Sequence, residues 1–184
     1  GEVAETAGDT LDASGITAGG VTVNLTADED RTLTDYTTGD VATFVNIENI
    51  ITMDQDDVVD GSATAGTVND AGNPTTTGIN VDVGEGADTV ISGLANDTFN
   101  LGVGDGDNDV VVLQDNFRED TIIGFETPTV NPDGSLTSND TFDVTGLTNA
   151  DGDPVTTDDV VVTDTNGDGT GDAILTFPNG ESVT

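Results

Sequence analysis

Short apolar runs recur along the whole chain, each closed by Gly, Asp-Gly or Asn. Val21-Thr22-Val23-Asn24-Leu25 alternates with a period of two, as a strand buried on one face requires, because successive side chains point to opposite sides. Further runs predict strands over 42–52, 57–59, 79–83, 89–91, 98–101, 109–113, 121–125, 141–144, 159–162 and 173–177. No window sustains an apolar stripe at i, i+3, i+4 and i+7, and glycine interrupts about every ten residues. The expectation is an all-β chain. Its last residues, Pro178 to Thr184, read as a hairpin whose return strand has barely begun, so the natural chain is expected to continue.

Two back-to-back nonapeptides stand out: Val83-Gly84-Glu85-Gly86-Ala87-Asp88-Thr89-Val90-Ile91 and Ser92-Gly93-Leu94-Ala95-Asn96-Asp97-Thr98-Phe99-Asn100. Each places a small-residue turn first, an aspartate sixth and a large apolar residue eighth. That order suits a short calcium-binding parallel β-roll: a turn whose backbone can curl around an ion, a carboxylate to meet it, then an inward-facing strand. Val81, Val90 and Phe99 keep the same spacing of nine. Two such units make one coil, so alternate strands are expected on opposite sheets. The period then slips, and Gly102 to Asp107 reads as a widened turn. Residues 62–77, rich in Thr, Gly and Asn, read as an exposed loop.

The predicted organisation is a β lead-in to about residue 52, a roll over about 53–115 and a closing β cap, since a solenoid must cover its last apolar face. Residues 1–126 would hold the lead-in and roll, and 127–184 the C-terminal cap with an Asp-rich loop. One continuous body fits equally well.

Charge sharpens the picture. The 37 acidic residues, 29 of them Asp, face only Arg31 and Arg118, giving a net charge of −35 with no Lys and no His. Asp is a turn and calcium-ligand residue, whereas Glu favours helices, so solvation alone does not account for the bias. Divalent cations held by the chain would offset such self-repulsion in a compact body. Nucleic acid and anionic membranes would be repelled, and no apolar run approaches the ~18 residues that insertion across a bilayer needs. Cysteine is absent, which removes disulfides and thiolate metal sites. The first five residues lack the basic and apolar stretches of a signal peptide.

Three segments besides the nonapeptides carry a family resemblance. They are Gly8 to Gly15 followed by Val21 to Leu25; Phe44-Val45-Asn46-Ile47-Glu48-Asn49-Ile50-Ile51; and Asp120 to Phe125 with Asp140 to Val144. Together they resemble the hemolysin-type calcium-binding module, the RTX β-roll of bacterial proteins exported by type I secretion. The resemblance implies a secreted, extracellular or cell-surface protein that folds on meeting calcium. It implies no activity, because such modules accompany proteases, lipases, toxins, adhesins and surface-layer proteins. Val83 and Ser92 stand where the family's first glycine would be, and Ala95 replaces another, which implies fewer or weaker sites than a long array has.

The calcium ligands implied by the resemblance are Asp88 with the carbonyls of Gly84 and Gly86, and Asp97 with those of Gly93 and Ala95. Asp57 and Asp109 occupy matching positions. Hard oxygen ligands without His or Cys suit calcium; ordinary turns capped by Asp would use the same residues. A second motif, Asp164-Thr165-Asn166-Gly167-Asp168-Gly169-Thr170-Gly171-Asp172, matches the front of an EF-hand-like loop. Its candidate ligands are Asp164, Asn166, Asp168, Thr170 and Asp172. Leu175 stands at position 12 in place of Glu and the flanks read as strands, so a strand–loop–strand site or a plain polar hairpin are the two readings.

Without His, Cys or Lys the common nucleophile–base pairs cannot be assembled, and seven aromatics without Trp offer little to line a sugar cleft. The expected function is therefore non-catalytic: a calcium-dependent extracellular structural module of a surface layer, filament or adhesin, forming a homo-oligomer or polymer. The alternative is the C-terminal secretion and folding module of a larger exoenzyme or toxin.

Overall fold

An aspartate that closes a turn, with a large apolar residue two positions later, opens strand after strand, and these strands wind into stacked coils. The computed structural model describes residues 9–25, 31–44, 47–52, 54–64, 77–137 and 139–184. The first coil runs from β1 (Asp9–Asp12) to β2 (Val21–Asn24). A hairpin of β3 (Arg31–Asp35) and β4 (Val41–Phe44) follows. Coils two to four run from β5 (Ile47–Ile51) to β6 (Val58–Asp60), from β7 (Thr77–Asp82) to β8 (Thr89–Ile91), and from β9 (Asn96–Asn100) to β10 (Val110–Gln114). The fifth starts at β11 (Glu119–Ile123). A small hairpin of β12 (Thr129–Val130) and β13 (Leu136–Thr137) interrupts it, and β14 (Thr141–Gly146) completes it. The chain ends in β15 (Val161–Asp164), β16 (Ala173–Thr176) and β17 (Ser182–Val183).

Two sheets result. One has eight strands in the order β1-β5-β7-β9-β11-β17-β16-β15, the other seven in the order β14-β10-β8-β6-β2-β3-β4. Pairing between coils is parallel throughout. Among the described residues antiparallel pairing is confined to the strands at the two ends and to the inserted hairpin. The structure is all-β and of β-roll type. Among the described residues the one helical feature is a 3-10 turn at Thr157–Asp159, and no helix is long and apolar enough to cross a membrane.

Register stacks like on like. In the seven-stranded sheet Val23, Val59, Val90, Val111 and Phe142 are successive partners. In the eight-stranded sheet Leu11, Ile50, Val81, Phe99 and Ile122 are. These columns form one core between the sheets, with Val59, Val90, Phe99 and Val111 wholly buried. Burying each such side chain stabilises the fold by roughly 1.5–3 kcal/mol. Residues nine apart, such as Val81 and Val90, therefore lie on opposite sheets.

Lead-in strands β1, β2 and β5 belong to the coils themselves, and residue 127 lies within the fifth coil. Phe125 stacks on Phe142 (centroids 4.5 Å apart, planes 7° apart), tying that coil together across its inserted hairpin. Phe117 meets Phe177 edge to face at 5.3 Å, which anchors the terminal hairpin over the core. The loop expected over 62–77 falls mostly on residues 65–76, outside the described residues, as do Gly8 and the Val45-Asn46 pair.

Candidate functional site

Within the stack, the aspartate that leads into an inward-facing strand is itself buried. Asp57, Asp88, Asp109 and Asp140 immediately precede β6, β8, β10 and β14, and each is at most 3% exposed. They stack along one side of the roll as a ladder. The amide of Val21 donates to Asp57 Oδ1 at 2.7 Å, that of Asp57 to Asp88 Oδ1 at 2.7 Å, that of Asp88 to Asp109 Oδ1 at 2.8 Å and that of Asp109 to Asp140 Oδ1 at 3.0 Å. Each carboxylate thus satisfies the amide that the turn of the preceding coil leaves free of the sheet.

A second column lies at the opposite turns. The amide of Ile79 donates to Asp97 Oδ1 and that of Asp97 to Asp120 Oδ1, both at 2.9 Å. Here the remaining oxygens are also engaged: Gly93 N–H donates to Asp97 Oδ2 at 2.9 Å, and Ser92 Oγ to Asp120 Oδ2 at 2.6 Å. Asp88 and Asp97, neighbours in the repeat, belong to different columns.

The first column differs in one respect. Asp57 Oδ2 and Asp88 Oδ2 are buried and accept no hydrogen bond. A desolvated carboxylate oxygen without a donor is costly unless a proton or a cation meets it. Burial pushes the Asp88 carboxyl up to about 8, and the carboxylates of Asp109, Asp57 and Asp56 push in the same direction. Burial likewise raises Asp109 to about 7, with Asp140, Asp105 and Asp107 adding repulsion. Asp57 is raised for the same first cause. In the second column burial raises Asp97, and takes Asp120 to about 7.

The turns in front of the first column pack backbone on backbone. Gly84, Gly86 and Gly102 have positive φ, and a Cβ on Gly86 would lie 2.3 Å from the Gln55 carbonyl oxygen of the coil before. Among the described residues no three acidic side chains converge on one point. A cation here would take the free oxygens of the ladder and complete its shell from turn carbonyls, such as those of Gly84 and Gly86; hard oxygen donors of that kind suit calcium. Gly93 and Ala95 sit beside Asp97, where Gly93 offers its amide and Ala95 is fully buried.

The Asp-rich loop joins β15 to β16 as a hairpin, with Asp164 paired to Ala173. Its backbone wraps the Asp164 carboxylate: Asn166 and Asp168 amides donate to Oδ1 at 3.1 and 3.0 Å, and the Gly169 amide to Oδ2 at 3.1 Å. These amides, Gly169 foremost, hold Asp164 below the usual carboxylate range. Asp168 Oδ1 accepts the Thr170 hydroxyl and amide, which lowers its carboxyl too. Asn166 Nδ2 donates to Thr170 Oγ1, and the Asp172 amide donates to Thr165 Oγ1 at 3.1 Å. Asp164 and Asp168 stay ionised, inside a loop preformed by its own turns.

Sequence reasoning about sites passed over Asp120 and Asp140, although both carry the same signal, Asp-Thr followed by a large apolar residue. It also passed over Asp105 in the widened turn, whose Oδ2 is buried without a partner. Comparison with family models, with curated proteins and with solved structures finds no match for this chain.

Proposed function

We propose that this chain is a non-catalytic, calcium-dependent structural module of a secreted bacterial protein, working at or outside the cell surface and assembling with copies of itself. The observation that carries the reading is the pair of buried, unpartnered oxygens, Asp57 Oδ2 and Asp88 Oδ2, in a ladder of like charges. A divalent cation resting on that column relieves both the missing partner and the repulsion between coils. Calcium fits because the donors available are carboxylate and carbonyl oxygens, with neither imidazole nor thiolate in the chain. The loop around Asp164 is a second, independent calcium loop in this reading. The ladder forms only when coils stack, so binding free energy becomes folding free energy.

The test is a calcium titration followed by circular dichroism, with bound calcium counted directly after desalting. Folding that sharpens with micromolar to millimolar calcium, and collapses in EGTA, supports the reading. A chain equally folded with and without calcium, retaining no ion, overturns it.

A further inference from the structure

The two sheets do not end at the same coil. Beyond β2 the seven-stranded sheet continues into β3 and β4, while the eight-stranded sheet stops at β1. At the other end the eight-stranded sheet continues past β11 into β17, β16 and β15, while the seven-stranded sheet stops at β14. Each end therefore carries an overhang, and the two overhangs belong to opposite layers.

Each overhang leaves core-side surface open. Cross-strand partners share a face, so Val23, Leu33 and Ala42 point the same way. Val23 and Leu33 are buried, whereas Ala42 is exposed. At the far end Val183, Leu175 and Val162 are successive partners; Val183 is 2% exposed and Val162 65%. Leu147 and Val155 join the apolar cluster of Phe177 and Val183 but leave Val162 uncovered. A sheet with an apolar face is stable when a second layer covers it, and among the described residues each overhang is left partly uncovered. Moreover, none of the four residues of β4 is charged, in a chain where 21% are, although free sheet edges are normally guarded by charge.

Strand direction selects the occupant. Two antiparallel steps bring β4 back parallel to β2, and two more bring β15 back parallel to β17 and hence to β11. The overhangs are three strands in one layer and two in the other, so in a second copy shifted along the stacking direction, without being turned round, β4 stays one strand spacing short of β14 while β1 comes beside β15 in parallel. That is the pairing the roll uses internally. We infer that copies of this chain join head to tail, the β15 overhang of one copy covering the β4 overhang of the next, so that the eight-stranded sheet runs on from copy to copy. The inference rests on the assembly reading above and names its joint. Such a contact is heterologous and does not close on itself, so it propagates as a filament. The seam between β15 and β1 brings Asp164 towards Asp9 and Asp12, a repulsion that calcium offsets.

Val162→Glu blocks one end and Ala42→Glu the other, both at exposed positions. Val103→Glu, 81% exposed and in a turn, adds the same charge away from either end. In calcium, wild type and Val103→Glu are expected to form filaments by electron microscopy. Val162→Glu and Ala42→Glu are each expected to stay monomeric by light scattering, with unchanged circular dichroism and melting. Mixed in equal amounts, the two blocked variants are expected to give a dimer that grows no further, because each keeps one live end. If either substitution lowers the melting temperature, Val162→Gln and Ala42→Gln, uncharged but polar on the same core-side faces, carry the same expectations. Filaments that persist in a blocked variant, a mixture that stays monomeric, or an Ala42→Glu dimer formed alone each overturn the joint while leaving calcium-dependent assembly standing. A wild type monomeric in calcium overturns both.

Discussion

The Asp57 amide donates to Asp88 Oδ1 at 2.7 Å across the gap between two coils, although the residues are 31 positions apart. The next two rungs, Asp88 to Asp109 and Asp109 to Asp140, span 21 and 31 positions. The hydrogen-bond length is nearly constant while the chain between rungs is not, because insertions enter the turns and leave the strands in register.

Asp88→Ala is expected to destabilise the calcium-free protein by about 1–3 kcal/mol, since it leaves the buried Asp57 amide without an acceptor. Asp88→Asn keeps an oxygen for that amide and removes the charge. It is expected to match wild type at pH 5 without calcium and to lose most of the calcium-induced gain. Urea melts of the three proteins with and without calcium check both expectations.

Acid is expected to stabilise the calcium-free roll. Asp88, raised to about 8, and Asp109 and Asp120, raised to about 7, hold protons more tightly folded than unfolded. Their contribution is complete below the ordinary carboxylate value and is lost as pH climbs through 7 and 8. Asp164 and Asp168, shifted downwards, act the other way and lose their contribution as pH falls below about 4. Chelator-treated protein should therefore melt highest near about pH 4–5. Calcium, which competes with protons for the ladder, should shift that optimum upwards. Melting temperature against pH, in EGTA and in calcium, measures the shift.

Asp164→Ala removes the acceptor of three loop amides but touches no core residue. Isothermal titration is expected to show one calcium site fewer, with the main unfolding transition moved little. A large fall in melting temperature would tie this loop to the roll.

Gly78→Ala tests how closely the second column is packed. A Cβ there would lie 1.8 Å from Asp97 Oδ1 and 2.9 Å from the Asn96 carbonyl oxygen. The strand must move, breaking the bond from the Ile79 amide to Asp97, at a cost of about 1–3 kcal/mol. Phe99→Ala, which empties the middle of the Val81–Phe99–Ile122 column, is expected to cost about 3–5 kcal/mol. Denaturant midpoints rank the two.

Part of the terminal hairpin was legible: Pro178 to Thr184 reads as a hairpin whose return strand has barely begun, and β17 is that strand. What no pattern announced is its partner. It lies parallel to β11, more than 60 positions earlier, through Glu119–Ser182 and Asp120–Val183. Strand β3 was also missed, because Arg31-Thr32-Leu33-Thr34-Asp35 offers a single large apolar residue and owes its place to pairing with β2 and β4.

By itself the sequence determined most strands of the coils, their inward faces and the alternation of sheets, because side-chain direction follows from a period of two and coil length from a period of nine. It also marked the buried aspartates of the ladder by the apolar residue two places on. Tertiary structure alone decided which aspartates meet. Residues nine apart are half a coil apart, so Asp88 and Asp97 part company, while Asp57, Asp88, Asp109 and Asp140 come together across unequal stretches of chain. Proximity in a stacked roll is set by hydrogen bonding between coils, and that bonding is indifferent to how much chain each turn contains.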